Sequence, residues 1–197
     1  MRRWLRQLPN FISSIRILLV VPIALALAHH QLITTLWLFG VAAASDAVDG
    51  FLAKHFGWQT ELGGILDPLA DKLMLVTVFV VLTLLGSVPV WLTTAVIVRD
   101  CVIVLGAISY RVLLGPVEAR PTIISKLNTL CQIIFILVVI GAQQFSWPAV
   151  WVLVLGALVF DTVCVSGIDY VCVYGRQAAA QARARRAALS AGGSKPA

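Results

Sequence analysis

Charge is what this sequence has least of. Only 12% of its 197 residues are Asp, Glu, Lys or Arg, about half the share of an ordinary soluble domain. Hydrophobic residues make up 60% and the mean hydropathy is +0.95, so a water-soluble globular domain is excluded and the composition is that of a membrane protein. Cysteine is also sparse: Cys101, Cys131, Cys164 and Cys172 all fall in apolar runs with no CxxC spacing, which leaves them as small apolar side chains and removes a disulfide framework. No internal repeat stands out. The length fits one compact helical bundle without room for a second sizeable soluble domain.

Apolar runs long enough to cross about 30 Å of hydrocarbon, about 20 residues each, number six, at approximately 9–28, 31–54, 67–86, 89–114, 122–142 and 147–175. The turns after the first, third and fifth contain no Lys or Arg. The basic residues gather at the other ends: Arg2, Arg3 and Arg6, then Lys54 and Lys72, then Arg111, Arg120 and Lys126, then the run Arg176 to Lys195. The bias of positive charge toward cytoplasmic loops therefore places both termini and both charged loops in the cytoplasm. The net charge of +6 follows that topology and suits an anionic lipid surface, with no nucleic-acid partner required.

The start, Arg2, Arg3 and Arg6 followed by ILLVVPIALALA, has the outline of a secretory signal, but cleavage there would leave five spans and break the charge parity. Asn10, Ser13 and Arg16 recur at i, i+3 and i+6, a polar helix face with a buried role. Trp4, Trp58, Trp91, Trp147 and Trp151 lie near span ends, as in an interfacial belt. Residues 1–175 are expected to form the six-span domain. Residues 176–197, rich in Ala and Arg, are expected to form a basic cytoplasmic tail whose helix frays into disorder.

Against this apolar background, SDAVDGFLAKHFGWQTELGGILDPLADK carries Asp46, Asp49, Asp67 and Asp71. Asp46 and Asp49 are three residues apart and Asp67 and Asp71 four apart, so each pair shares a helix face. Asp46 lies about 12 Å along the helix from Lys54 at 1.5 Å per residue. A lone carboxylate at membrane depth costs about 2.5–3.5 kcal/mol, so four require positive compensation. Lys54 and Lys72 can snorkel outward, whereas hard divalent cations match an all-carboxylate donor set and point to Mg²⁺ or Mn²⁺ rather than zinc. Gly50 and Ala53 on the aspartate side of the second span, and Gly63 and Gly64 before the third, either admit a ligand close to the backbone or serve tight helix packing.

Asp46, Asp49, Gly50, Ala53, Lys54, Gly63, Asp67 and Asp71, at these gaps, resemble the signature of the CDP-alcohol phosphatidyltransferases. Every position but one agrees; Lys54 stands where the family has arginine, keeping the charge but losing the bidentate fork. The resemblance covers almost the whole chain, with PNFISSIR and the six-span layout also similar. It implies an all-α integral membrane fold of six transmembrane helices. It further implies a centre of two metal ions held by Asp46, Asp49 and Asp67, with Asp71 as general base and further metal contact. Gly50, Ala53, Lys54 and Gly63 would form the nucleotide site for CDP-diacylglycerol, and a homodimer is implied.

RDCVIVLGAISYR, RPTIISKLNTLCQ and DYVCVYGR are most similar to the branch of the family that joins CDP-diacylglycerol to phosphatidylglycerol, releasing CMP and making cardiolipin. The same chemistry with glycerol 3-phosphate as acceptor is the second reading. Arg99 and Asp100 lie about mid-span, and Arg99, Arg111, Arg120, Lys126 and Arg16 are candidates for the acceptor phosphate. Internal pairing of Arg99 with Asp100, and a topology-setting role for Arg111 and Arg120, are the competing accounts. Asp161 and Asp169 are expected to make hydrogen bonds between helices. Cation or proton transport would require polar residues continuing to the far face, and TTLWLFGV and VTVFVVLTLLG offer almost none. The absence of an Arg- and Ser-rich presequence points to a bacterial inner membrane, with the active site toward the cytoplasm.

Overall fold

The computed structural model describes the backbone of residues 8–56, 63–114 and 123–192, and side chains within 15–45, 70–106 and 123–172. Among these residues the chain is all helical: α1 (Leu8–Ala28), α2 (Leu32–Phe56), α3 (Gly63–Leu84), α4 (Val90–Leu114), α5 (Ile123–Phe145) and α6 (Ala149–Gly192). Each helix coincides with one of the apolar runs. The last is longer than its run, because α6 continues through the Ala- and Arg-rich segment to Gly192, where alanine and arginine are both strong helix formers.

Three tight turns, with positive φ at His30, Gly86 and Ser146, close one end of the bundle. After α1, His30 takes a positive φ of 57°, and the Gln31 amide bonds back to the Ala26 carbonyl at 2.8 Å. After α3, Gly86 takes a φ of 72°, and the Ser87 amide bonds the Leu82 carbonyl at 2.9 Å. Both are left-handed helix stops that satisfy terminal carbonyls which membrane would otherwise leave exposed. Glycine carries that φ at no steric cost, histidine does not. Pro89 and Pro148 precede α4 and α6, where a missing amide hydrogen costs nothing. Trp37, Trp91, Trp147 and Trp151, each at least 47% exposed, ring this end; Trp4 and Trp58 lie outside the described residues.

Within the bundle α1 packs on α3 and α2, while α6 packs on α5 and α4. The two halves meet where α5 lies against α2 and α3, and α3 against α4. Phe79 and Phe135 stack across that seam at 5.9 Å between ring centroids, surrounded by the fully buried Leu75, Leu82, Ile136 and Ile140. Outward faces are apolar as well, with Leu18, Trp37, Leu105, Leu153 and Ile168 all more than 60% exposed. An apolar exterior around an apolar core is the construction for contact with lipid. Among the described residues, α5 and the Ala149–Cys172 part of α6 are long and apolar enough to cross a membrane; Ile15–Ala28 and Leu32–Ser45 are apolar but shorter.

Candidate active site

The four aspartates sit on two helices that share neighbours. Asp46 and Asp49 are one turn apart on α2, and Asp67 and Asp71 one turn apart on α3. Both α1 and α5 pack against this pair of helices. Gly50, Ala53 and Lys54 follow on the last turns of α2, and Gly63 opens α3. The side chains of Asp46, Asp49, Ala53, Lys54 and Asp67 lie outside the described residues, as do those of Asn10 and Ser13. Asp71 is described and is half-buried. The donor set, four carboxylates at helical spacing with no histidine or cysteine among the four, fits Mg²⁺ or Mn²⁺, which prefer hard oxygen ligands.

One residue beyond Asp71 the described structure becomes detailed. Lys72, which was free to snorkel outward, stays about a third exposed and places its Nζ 2.6 Å from Asp100 Oδ1 on α4. Arg99 Nη1 donates to the same oxygen at 2.7 Å. The other terminal nitrogen of Arg99 donates to Ser125 Oγ on α5 at 2.9 Å and to Ser166 Oγ on α6. Arg99 is 5% exposed and Asp100 8%. A guanidinium can be kept in so dry a place because its rigid fork reaches several acceptors at once.

A second polar layer lies one turn further along α5. Thr162 Oγ1 donates to Asn128 Oδ1 at 3.1 Å, and Gln132 is fully buried. Asp100 Oδ2, Asn128 Nδ2 and both side-chain polar atoms of Gln132 have no hydrogen-bond partner among the described residues. Near the far side of Arg99, the Tyr170 hydroxyl donates to the Ile103 carbonyl at 2.8 Å.

The acceptor candidates are dispersed. Arg16 is buried on α1, Arg99 is engaged as above, and Lys126 is exposed on α5. The side chain of Arg111, on α4, and all of Arg120 lie outside the described residues. Asp161 is exposed and Asp169 half-buried, and the cross-helix bonds of α6 come instead from Thr162, Ser166 and Tyr170. Asp161 simply faces outward, whereas the hydroxyls face neighbouring helices. The contacts of Lys72, Ser125 and Ser166 with Asp100 and Arg99 could not be read from the sequence. Their one visible signal was polarity at the inner faces of otherwise apolar helices.

An apolar cavity of about 580 Å³ opens at the opposite end, between Ser87, Trp91, Phe135, Trp147 and Gly156. It has none of the titratable groups that the chemistry requires, so the size of a cavity does not locate the site here.

An all-helical bundle with an apolar exterior and two helices long and apolar enough to span is the build of a membrane protein. The profile of the CDP-alcohol phosphatidyltransferase family matches residues 6–163, and the chain belongs to that family. The human CMP-forming cardiolipin synthase is 30% identical over 187 residues, covering 86% of this chain and 62% of that protein. A probable phosphatidylglycerophosphate synthase of Mycobacterium tuberculosis is also 30% identical, covering 86% of this chain and 82% of that protein. The CDP-diacylglycerol–glycerol-3-phosphate 3-phosphatidyltransferase of Blochmanniella floridana is 26% identical over 181 residues. The chain thus spans less than two thirds of the human relative's length.

Proposed function

We propose that this protein is a cardiolipin synthase, transferring a phosphatidyl group from CDP-diacylglycerol to phosphatidylglycerol with release of CMP. The observation that carries this reading is the eight-residue constellation from Asp46 to Asp71 in a chain of this family. The similarity to the human enzyme and the residues ARPTIISKLNT support the lipid acceptor. The equal identity to the mycobacterial protein keeps phosphatidylglycerophosphate synthesis, with glycerol 3-phosphate as acceptor, as the second reading.

In this reading six helices span a bacterial inner membrane with the aspartates toward the cytoplasm, and the protein is a homodimer. Water-soluble CMP then leaves to the cytoplasm while the acyl chains stay in the leaflet. Asp46, Asp49, Asp67 and Asp71 would hold two divalent ions, Mg²⁺ or Mn²⁺, which when bound neutralise the diphosphate and the leaving CMP. Asp71 accepts the proton of the acceptor hydroxyl as that oxygen bonds to the phosphorus bearing diacylglycerol. The bond from that phosphorus to the CMP oxygen breaks, and CMP carries away the electron pair. Gly50, Ala53 and Gly63 leave room for the nucleotide, and Lys54 offers a single positive charge to its phosphates. Arg16, Arg111, Arg120 and Lys126 are the candidates for the acceptor's phosphate, whereas Arg99 is taken up by Asp100, Ser125 and Ser166.

The test is CMP release by purified protein in detergent with CDP-diacylglycerol and Mn²⁺ or Mg²⁺, offering phosphatidylglycerol and glycerol 3-phosphate separately. Metal-dependent turnover with phosphatidylglycerol alone is the expected result. Turnover with glycerol 3-phosphate alone selects the second reading, and no CMP release with either acceptor overturns both.

A further inference from the structure

Lys72 follows Asp71 on α3, and its ammonium reaches across to α4. It meets Asp100 Oδ1 at 2.6 Å, and that same oxygen accepts from Arg99 Nη1 at 2.7 Å. Arg99 then reaches Ser125 on α5 and Ser166 on α6. One unbroken chain of charge-assisted bonds therefore joins α3 to α4, α5 and α6, beginning one residue from Asp71.

Packing makes this chain consequential. Among the described residues α3 lies mainly on α1, and its contact with α4 is much smaller. Dispersion between apolar side chains tolerates rotation or sliding of one helix on another, and in lipid no hydrophobic term opposes it. A short, directional charge-assisted bond, buried at Asp100 and part-exposed at Lys72, restrains both rotation and register, because a small displacement breaks it.

We propose that Asp100 is a positioning residue: held by Arg99, it grips Lys72 and so fixes the α3 turn that presents Asp67 and Asp71. This rests on the reading of those aspartates given above. It differs from a role in which the Lys72 ammonium itself binds the donor's diphosphate, because then Asp100 would be dispensable for turnover.

The experiment compares Lys72→Met, Asp100→Asn, the double variant and Lys72→Arg in the full-length protein. Lys72→Met leaves Asp100 paired with Arg99, so it strands no buried charge, and thermal unfolding in detergent confirms the fold of each variant. Misplacing a reacting group by about 1 Å costs about 100-fold, so each single variant is expected to lose about 10- to 100-fold in kcat. At saturating Mn²⁺ the KM for CDP-diacylglycerol should stay within about twofold, because neither side chain is asked to touch the donor. The double variant should be no worse than the poorer single, and Lys72→Arg should recover most of the rate. Additive losses, or a raised KM confined to the Lys72 variant, would overturn the proposal.

A second readout needs no turnover: protection by Mn²⁺ against thermal unfolding. If Lys72 contributed only its charge, Lys72→Met would tighten Mn²⁺ binding, because a repelling cation is gone. A positioning role requires both Lys72→Met and Asp100→Asn to weaken it. Absence of CMP release by the wild-type protein would sink the functional reading alone, and the Mn²⁺ titration would still decide the role of Asp100. A wild-type protein that neither releases CMP nor binds Mn²⁺ would overturn both.

Discussion

The Tyr170 ring packs against Gly106 so closely that a Cβ added at the glycine would lie 2.9 Å from Tyr170 Cε1. Its hydroxyl donates to the Ile103 carbonyl at 2.8 Å, so one side chain both sets the approach of α6 to α4 and satisfies a backbone acceptor. Replacing Gly106 by alanine must push the ring out and lengthen that bond. The atom that must give way lies at the end of a side chain, so the cost falls within the usual range for overpacking, about 1–3 kcal/mol. It is partly offset by about 1 kcal/mol of helix propensity gained with alanine, so Gly106→Ala should lower the unfolding midpoint in detergent only modestly. Tyr170→Phe keeps the ring and should lose less.

Phe79 and Phe135 are both essentially buried where the two halves of the bundle meet. Phe135→Ala removes the ring that α5 stacks on Phe79 across this seam. In lipid the loss is packing rather than transfer from water, so the low end of the usual range applies, about 3 kcal/mol. Thermal unfolding monitored by circular dichroism is the measurement, and an unchanged midpoint would contradict the stacking.

Asp71→Asn should reduce CMP release by about 10²- to 10⁴-fold, the range for removal of a general base. Asp46→Asn, Asp49→Asn and Asp67→Asn should abolish it together with its response to Mn²⁺. A chelator should silence the wild-type protein, and added Mg²⁺ or Mn²⁺ should restore it. Activity that survives chelation would remove the metals from the mechanism.

Arg99 and Lys126 should behave differently despite their shared place among the acceptor candidates. Arg99 is buried and bound to three partners, so Arg99→Gln gives up charge-assisted bonds worth about 1.5–3 kcal/mol each, and its first effect should be on stability. Lys126 is exposed, and Lys126→Gln should leave the unfolding midpoint unchanged. If Lys126 serves the acceptor, its substitution raises the KM for phosphatidylglycerol without touching that for CDP-diacylglycerol. A steady-state titration of each substrate separates the two.

Local patterns settled a large part of this protein in advance. Six apolar runs announced six helices, because a chain that avoids water must satisfy its backbone within each segment. Spacings of three and four residues put Asp46 with Asp49, and Asp67 with Asp71, on shared helix faces, because helical period alone decides this. Those same aspartate spacings, with the glycines between them, also made the family legible.

Which helices become neighbours, and how each is rotated, was decided only in the folded bundle. Spacing left Arg99 free to line a pocket or to pair with Asp100, and left Lys72 free to snorkel outward. The bundle brought Asp100 beneath Lys72, and set Ser125 and Ser166 around Arg99. Those partners are 28, 26 and 67 residues apart in the chain. A bond across such distances depends on the relative rotation of separate helices, which side-chain packing fixes and helical period does not encode.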